Sequence, residues 1–464
     1  MTHWISSNEI RSRFSALMSD MYQKEVPLYG DLIDLVKDIN QQTLRQQPAL
    51  KQQLQQTGEL ARLSQERHGA IRLGSAAELS NMRRVFAVMG MYPVGYYDLV
   101  PSGVPVHSTA FRAIDSDDLN ACPFRVFTSL LRLELIADPA LREAAQQALS
   151  KRQIFSDRAL ALTQQFEQQG GLNQQDAQTF VLEVLETFRW HTDAPVSKAL
   201  YQDLHDQHRL IADVVAFKGP HINHLTPRTL DIDAVQSHMI RQGIPAKAVV
   251  EGPPRRQCPI LLRQTSFKAL EEKVNFNDGQ QVEQGSHTAR FGEIEQRGIA
   301  LTPKGRALYD RLLQQARQRL GAAPNDANAA QYVAILAEEF QSFPDSYAEL
   351  HQQQLAYFYY FMQAQPHADH LEISQDTDAV NALLNAGVLA IEPIVYEDFL
   401  PVSAAGIFQS NLGEASQTDY ASASNQTLFE QSLGAQVLDE MQLYQQLQDK
   451  SLQHCLAQLS LSDA

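Results

Sequence analysis

The sequence predicts an α+β protein in which paired βαβββ modules form one curved sheet inside a large helical shell. The first observation behind this is an internal repeat. His68-Gly-Ala-Ile-Arg72 and His224-Leu-Thr-Pro-Arg228 share the pattern H-x-x-x-R. Forty-three residues after each histidine comes Phe111-Arg112-Ala113-Ile114 or Phe267-Lys268-Ala269-Leu270. The second observation is that each copy reads as β-α-β-β-β. The third is that amphipathic, glutamine-rich stretches precede, separate and follow the copies. Repetition of a unit that cannot bury its own apolar face implies that the two copies pack together.

The elements follow in chain order. Residues 1–67 form an N-terminal helical region, with apolar positions Ile10, Phe14, Leu17 and Met21 and then Leu32, Ile33, Val36 and Ile39 at helical spacing. Gln41 to Gln56 make a solvated helical face. The first module spans 68–139: a strand from His68, a helix from Glu78 to Met89 closed by Gly90, then strands over 91–100, 104–114 and 126–136. Residues 140–218 are a helical insertion. The second module spans 219–300, with a strand over 221–232, a helix over 233–242, and strands over 246–253, 260–270 and 289–298. Residues 301–464 are mainly helical, with a pocket-lining extended segment near 388–408.

Composition narrows the function classes. A 464-residue chain with 44% hydrophobic and 20% charged residues is an ordinary water-soluble composition. Its 54 acidic against 38 basic side chains give a net charge of −16, opposite to the basic footprint of a nucleic-acid surface. No apolar run is long enough for a membrane span, and the N-terminus has no apolar signal core. Three widely spaced cysteines suit a reducing compartment, so the expected location is the cytoplasm, with no nucleic-acid or membrane partner.

The repeat also selects the chemistry. Each copy places a histidine on its first strand and a carboxylate late: Glu134 in Leu133-Glu134-Leu135, Glu293 in Gly292-Glu293-Ile294. Alternate strand residues share a face, so His221 and His224 point oppositely, and the alignment with His68 selects His224. Phe291, Glu293, Glu295 and Arg297 share one face. A buried carboxylate there needs a cation; Arg297 pairs with Glu295, which leaves Glu293 for a metal. His68, His224 and Glu293 are the candidate ligands. Two imidazoles and one carboxylate suit non-haem Fe(II), and Zn²⁺ or Mn²⁺ also accept them. Glu134 is the rival: with it the site becomes His₂Glu₂, nearer to glyoxalase-type isomerases or lyases. Its interval from His68 is 66 residues, against 69 for His224 to Glu293, and its leucine-rich surroundings are equally compatible with a helix. Arg72 shares a face with His68, about 13 Å along the strand, a reach suited to the far carboxylate of a metal-bound acid. Arg228, its repeat mate, follows Pro227 and suggests an edge or bulge. His205-x-x-His208 and His367-x-x-His370 lack a third ligand nearby. Leu301-Thr-Pro-Lys-Gly-Arg306-Ala-Leu-Tyr309 resembles the end of a winged helix, the one hint of a non-catalytic ligand-binding regulator.

Glu293-Ile294-Glu295-Gln296-Arg297 resembles the strand that ends the iron site of 4-hydroxyphenylpyruvate dioxygenases. With ERHGAIRLGS (66–75), GPHINHLTPRTLDID (219–233), ARFGEIEQRGIALT (289–302) and PVSAAGIFQSNL (401–412), the chain resembles the 2-oxoadipate dioxygenase/decarboxylase family of the vicinal oxygen chelate superfamily. The likeness implies an Fe(II) enzyme that converts 2-oxoadipate and O₂ to 2-hydroxyglutarate and CO₂ in lysine breakdown. It implies His68, His224 and Glu293 as iron ligands, Arg72 as a substrate-carboxylate binder, and Val402 and Ser403 as pocket wall. The substrate then supplies its own 2-oxo acid, so no external 2-oxoglutarate is needed.

Overall fold

The structure is a computed structural model that describes residues 4–279, 281–288, 290–363, 373–400 and 422–462. It is a mixed α+β fold with several small sheets in a helical surround. The strands are β1 (Arg67–Leu73), β2 (Tyr92–Asp98), β3 (Val106–Arg112), β4 (Arg125–Leu131), β5 (Asp193–Ala194), β6 (Leu225–Pro227), β7 (Leu262–Ser266), β8 (Glu271–Asn277), β9 (Val282–Thr288), β10 (Glu293–Arg297), β11 (Phe358–Met362) and β12 (Leu389–Pro393).

The first module runs strand, helix, strand, strand, strand, with a short helix Ser116–Ala121 before its last strand. Ser75 caps helix Ala76–Val88 by accepting from the Glu78 amide, an N-cap three residues before a glutamate. The sheet order is β2-β3-β4-β1-β6, with β1 parallel to β4 and antiparallel to β6. The strand carrying His68 therefore lies inside the sheet. Beyond β6, a parallel bridge between Arg228 and Glu295 brings up the antiparallel pair β10–β7. The two halves of the repeat thus meet along β1, β6 and β10.

The second module departs from its expected pattern. Residues 221–224 are not in a strand: the Ile222 amide donates to Phe188 O and the Asn223 amide to Ala70 O, so no single ladder forms. The expected strand over 246–253 is reduced to two isolated bridges, Ala246 to Phe267 and Glu251 to Gln264. Between those bridges four residues on one side face two on the other, which prevents continuous register. Between β7 and β10 the chain inserts the hairpin β8–β9, which the motif reading missed. Its signal was present: Val274 and Phe276 alternate with polar residues and lead into Asn277-Asp278-Gly279. Leu133–Leu135, expected as strand or helix, is a 3₁₀ turn.

The 140–218 stretch is helical apart from the short β5, which pairs with β8. After β10, Thr302 caps helix Pro303–Leu320. The segment that resembled a winged helix is simply the start of that helix. No helix among the described residues is long and apolar enough to cross a membrane.

Two buried features tie the surroundings of these strands together. The Tyr22 hydroxyl, on helix Ser7–Glu25, lies 2.9 Å from Asn223 O and 2.8 Å from Phe291 O, within hydrogen-bond reach of both. The other feature is an ion-pair network. Arg62, Arg125, Arg228 and Arg297 interleave with Glu59, Glu66, Glu295 and Glu397. Burial raises the Glu66 and Glu295 carboxyls, but Arg228 foremost at Glu66 and Arg297 foremost at Glu295 outweigh it, and Glu295 falls to about 2. A carboxyl lowered in the folded state stabilises the fold above its unfolded pKa and loses that contribution as pH falls through the folded value. Unfolding free energy of the metal-free protein, measured by denaturant titration, is expected to decline from pH 4.5 towards about 2. A flat profile over that window would contradict an ionised network.

Candidate metal centre

His68 occupies β1 opposite Arg125 of β4 and Thr226 of β6. His224 stands immediately before β6, and Glu293 opens β10. All three are fully buried, and one ligand atom from each can be chosen so that all lie within 4.8 Å of one another. Two glycines permit the approach. A Cβ on Gly69 would lie 2.4 Å from Ile222 Cδ1, and one on Gly292 would lie 2.0 Å from the Phe267 ring. A larger residue at 69 would press on Ile222 of the second module, and one at 292 on Phe267 within the same module.

Glu293 Oε1 is the hub. It lies 3.1 Å from His68 Nε2 and 3.7 Å from His224 Nε2. It accepts from Thr226 Oγ1 at 3.0 Å and Gln264 Nε2 at 2.9 Å. Among the described residues Glu293 Oε2 and both ring nitrogens of His224 have no hydrogen-bond partner. Burial, then the charges of His68 and Arg72, holds His224 well below the usual imidazole range, so the ring is neutral and keeps a lone pair. Burial pushes the Glu293 carboxyl up, with His68 opposing.

His68 is oriented from behind. Its Nδ1 lies 3.0 Å from Glu295 Oε2, and Glu295 is held in turn by both sides of the Arg297 fork at 2.8 and 2.9 Å. Burial lowers the His68 imidazole, but Glu295 and then Glu293 prevail and raise it. With a proton on Nδ1, the Nε2 lone pair faces a carboxylate oxygen 3.1 Å away. Only a proton or a cation between them makes that arrangement favourable. Two imidazoles, one carboxylate and orphaned polar atoms at zero exposure fit a divalent metal, and the backing carboxylate is the usual device for orienting a metal-bound histidine. Phe399 meets the His68 ring edge-on at 4.9 Å and Phe291 lies 4.9 Å from His224, giving the group apolar walls.

The other sequence candidates fall elsewhere. Glu134 is exposed on its 3₁₀ turn and accepts from Arg132 Nε at 2.7 Å. Arg72 lies on β1, buried, with Nη1 donating to Asp213 Oδ2 at 2.6 Å and to Asn223 Oδ1 at 2.7 Å. Arg228 is absorbed by Glu59 and Glu66. His205 is exposed beside Asp206, and His208 caps helix Arg209–Val215. Val402 and Ser403, like His367 and His370, lie outside the described residues. Sequence reasoning missed Thr226, Gln264 and the backing role of Glu295 towards His68. It also missed a second grouping, Asp213, His221 and His287; two of its members come from the irregular 219–224 segment and the unforeseen hairpin.

Comparison with known proteins agrees with this architecture. Residues 14–411 match the family model described as 2-oxoadipate dioxygenase/decarboxylase. The chain is 61% identical to the 2-oxoadipate dioxygenase/decarboxylase of Pseudomonas putida, over 99% of this chain and 98% of that protein. It is 55% identical to the protein of the same name from Escherichia coli, over 98% and 99%. A crystal structure of the hydroxyglutarate synthase from Pseudomonas putida in complex with 2-oxoadipate superposes with a TM-score of 0.91 at 60% identity, covering 99% of this chain and all of that one.

Glu293→Gln is expected to abolish stoichiometric metal binding, measured by elemental analysis after reconstitution, whereas Glu134→Gln retains it. Glu295→Gln should weaken metal affinity by about 10–100-fold, the usual cost of losing a partner behind a ligand. Equal metal loss from the Glu134 and Glu293 variants would contradict this assignment.

Proposed function

This chain belongs to the 2-oxoadipate dioxygenase/decarboxylase family, and on that premise we propose that His68, His224 and Glu293 hold one Fe(II) at which 2-oxoadipate and O₂ become 2-hydroxyglutarate and CO₂. The convergence of two imidazoles and one buried carboxylate carries the reading, because that set suits non-haem Fe(II) and leaves adjacent positions for a 2-oxo acid and O₂. The names of the relatives and the 2-oxoadipate bound in the Pseudomonas putida structure support the substrate.

The reaction balances without an external reductant. The bond between the carboxyl carbon and the keto carbon breaks and releases CO₂. One oxygen atom joins the former keto carbon, which becomes a carboxylate; the other is inserted into a C–H bond of the neighbouring methylene. Iron, when bound, supplies the redox path for O₂ and the Lewis-acid contact for the 2-oxo acid.

The chain's own residues place and protect these groups. Glu295 fixes the ring of His68 through Nδ1, and Thr226 and Gln264 fix the carboxylate of Glu293. Phe291 and Phe399 keep water from the two imidazoles. Arg72, on the His68 face of β1, binds the distal carboxylate. In a protein of net charge −16, a dianionic acid needs such a local cation. Val402 and Ser403 are proposed as pocket wall on the family likeness alone. The isomerase alternative needs Glu134 as a fourth ligand, and Glu134 is paired with Arg132 on an exposed turn.

An oxygen-electrode screen of 2-oxo acids with the Fe(II)-reconstituted protein tests the proposal. One O₂ consumed per 2-oxoadipate, with equal CO₂ and 2-hydroxyglutarate, is expected. Arg72→Ala should lose about 10–150-fold in kcat/KM for 2-oxoadipate, the value of a charge-assisted hydrogen bond, and keep its metal. Lys should restore little, because it lacks the planar fork. Retained dicarboxylate preference in Arg72→Ala would remove Arg72 from the pocket.

A further inference from the structure

Arg72 is anchored by a cluster that the metal centre does not use. Asp213, on helix Arg209–Val215, is buried, and its two oxygens face different partners. Oδ2 accepts from Arg72 Nη1 at 2.6 Å. Oδ1 lies 2.8 Å from His287 Nε2 and 3.2 Å from His221 Nε2. The imidazoles are themselves confined. Tyr201 Oη lies 2.9 Å from His287 Nδ1, and the Trp190 ring meets His221 edge-on at 4.6 Å and lies parallel to His287.

One reading of Asp213, His221 and His287 is a second metal site, since their donor atoms lie within 4.8 Å of one another. The geometry argues against it. The Asp213 carboxylate already faces a permanent cation 2.6 Å away, and a divalent ion beside the same carboxylate would face the arginine charge. Burial raises the Asp213 carboxyl, but Arg72, followed by His221, holds it well below the usual carboxylate range. It stays an anion whose partner is an arginine.

Arg72 Nη1 also donates to Asn223 Oδ1 at 2.7 Å, and Asn223 precedes His224. A guanidinium is a rigid planar fork with five N–H donors. Fixing Nη1 between Asp213 and Asn223 therefore fixes the direction of the whole fork relative to the segment that carries His224.

We propose that Asp213, gripped by His221 and His287, is a positioning residue that sets the distance between the Arg72 fork and the metal centre, and with it the chain length of the 2-oxo dicarboxylate accepted. This rests on the proposed function of Arg72. It goes further by locating the determinant of length in a cluster that, among the described residues, shares no hydrogen bond or ion pair with the three proposed metal ligands.

The test compares holoenzyme kinetics on 2-oxoglutarate, 2-oxoadipate, 2-oxopimelate and the monocarboxylate 2-oxohexanoate, for wild type, Asp213→Asn, His287→Gln, Arg72→Ala and Asp213→Asn with Arg72→Ala. Metal content is measured for each. In Asp213→Asn the KM for 2-oxoadipate should rise about 10-fold with kcat within about threefold, the signature of lost ground-state binding. Preference for six carbons over five should fall by a similar factor, with constants for 2-oxohexanoate unchanged. His287→Gln should move the same ratios in the same direction, and it carries the test if Asp213→Asn fails to fold. Adding Asp213→Asn to Arg72→Ala should cost nothing more, because coupled residues are non-additive.

Retained length preference in both cluster variants, an equal loss on 2-oxohexanoate, or full additivity with Arg72→Ala would overturn the proposal. So would two bound metals per chain with one lost in Asp213→Asn. No turnover of any 2-oxo acid by the wild type would overturn the functional reading and this proposal with it. Selective wild type and unselective Arg72→Ala, beside an Asp213→Asn that still discriminates, would overturn this proposal alone.

Discussion

A carboxylate at zero exposure with two buried imidazoles around it is the constraint on which the rest of the structure depends. Glu293 Oε1 lies 3.1 Å from one imidazole nitrogen and 3.7 Å from another, and leaving water in that company is costly unless a cation is shared. The surroundings act to keep the three donors converged. Thr226 and Gln264 restrain the carboxylate, Glu295 restrains His68, Gly69 lets the two repeat halves close to contact, and Gly292 makes room for Phe267 beside Glu293.

That closure is held from outside the sheet. Tyr22 reaches from the first helix to the carbonyls of Asn223 and Phe291, each one or two residues from a proposed ligand. The arginine–glutamate network then continues from Glu295 through Arg297 and Glu66 to Arg125 on β4 and Arg228 after β6. Buried ion pairs are weak sources of net stability, but removing one partner leaves an uncompensated charge. The network accordingly ties β4, through Arg125, and β10, through Glu295 and Arg297, to Glu66 just before β1 and Arg228 just after β6.

The repeat made much of this legible. Equal intervals from His68 and His224 to their phenylalanines identified which histidine of each copy to align, and Glu293 followed from the strand that ends the second copy. Strand alternation required a choice between His221 and His224, and the alignment with His68 made it, yet residues 221–224 are not in a strand. The two side chains do diverge, one to Glu293 and one to Asp213, with the amides of Ile222 and Asn223 between them tied to Phe188 and Ala70. Arg72 and Arg228 matched as repeat mates but have different fates. Arg228 bridges to β10 and is absorbed by Glu59 and Glu66, while Arg72 on the inner strand meets Asp213. The Asp213 cluster was not legible, because His287 rides on a hairpin inserted into the second copy with no counterpart in the first. Long-range partners of this kind are set by packing and leave no local period.

The most direct measurement is anomalous diffraction from crystals grown anaerobically with Fe(II), with data collected on both sides of the iron absorption edge. The account expects one iron peak per chain, within bonding distance of His68, His224 and Glu293, with Glu295 behind His68. A peak at Asp213, His221 and His287, or a loaded crystal whose three proposed ligands carry none, would contradict it.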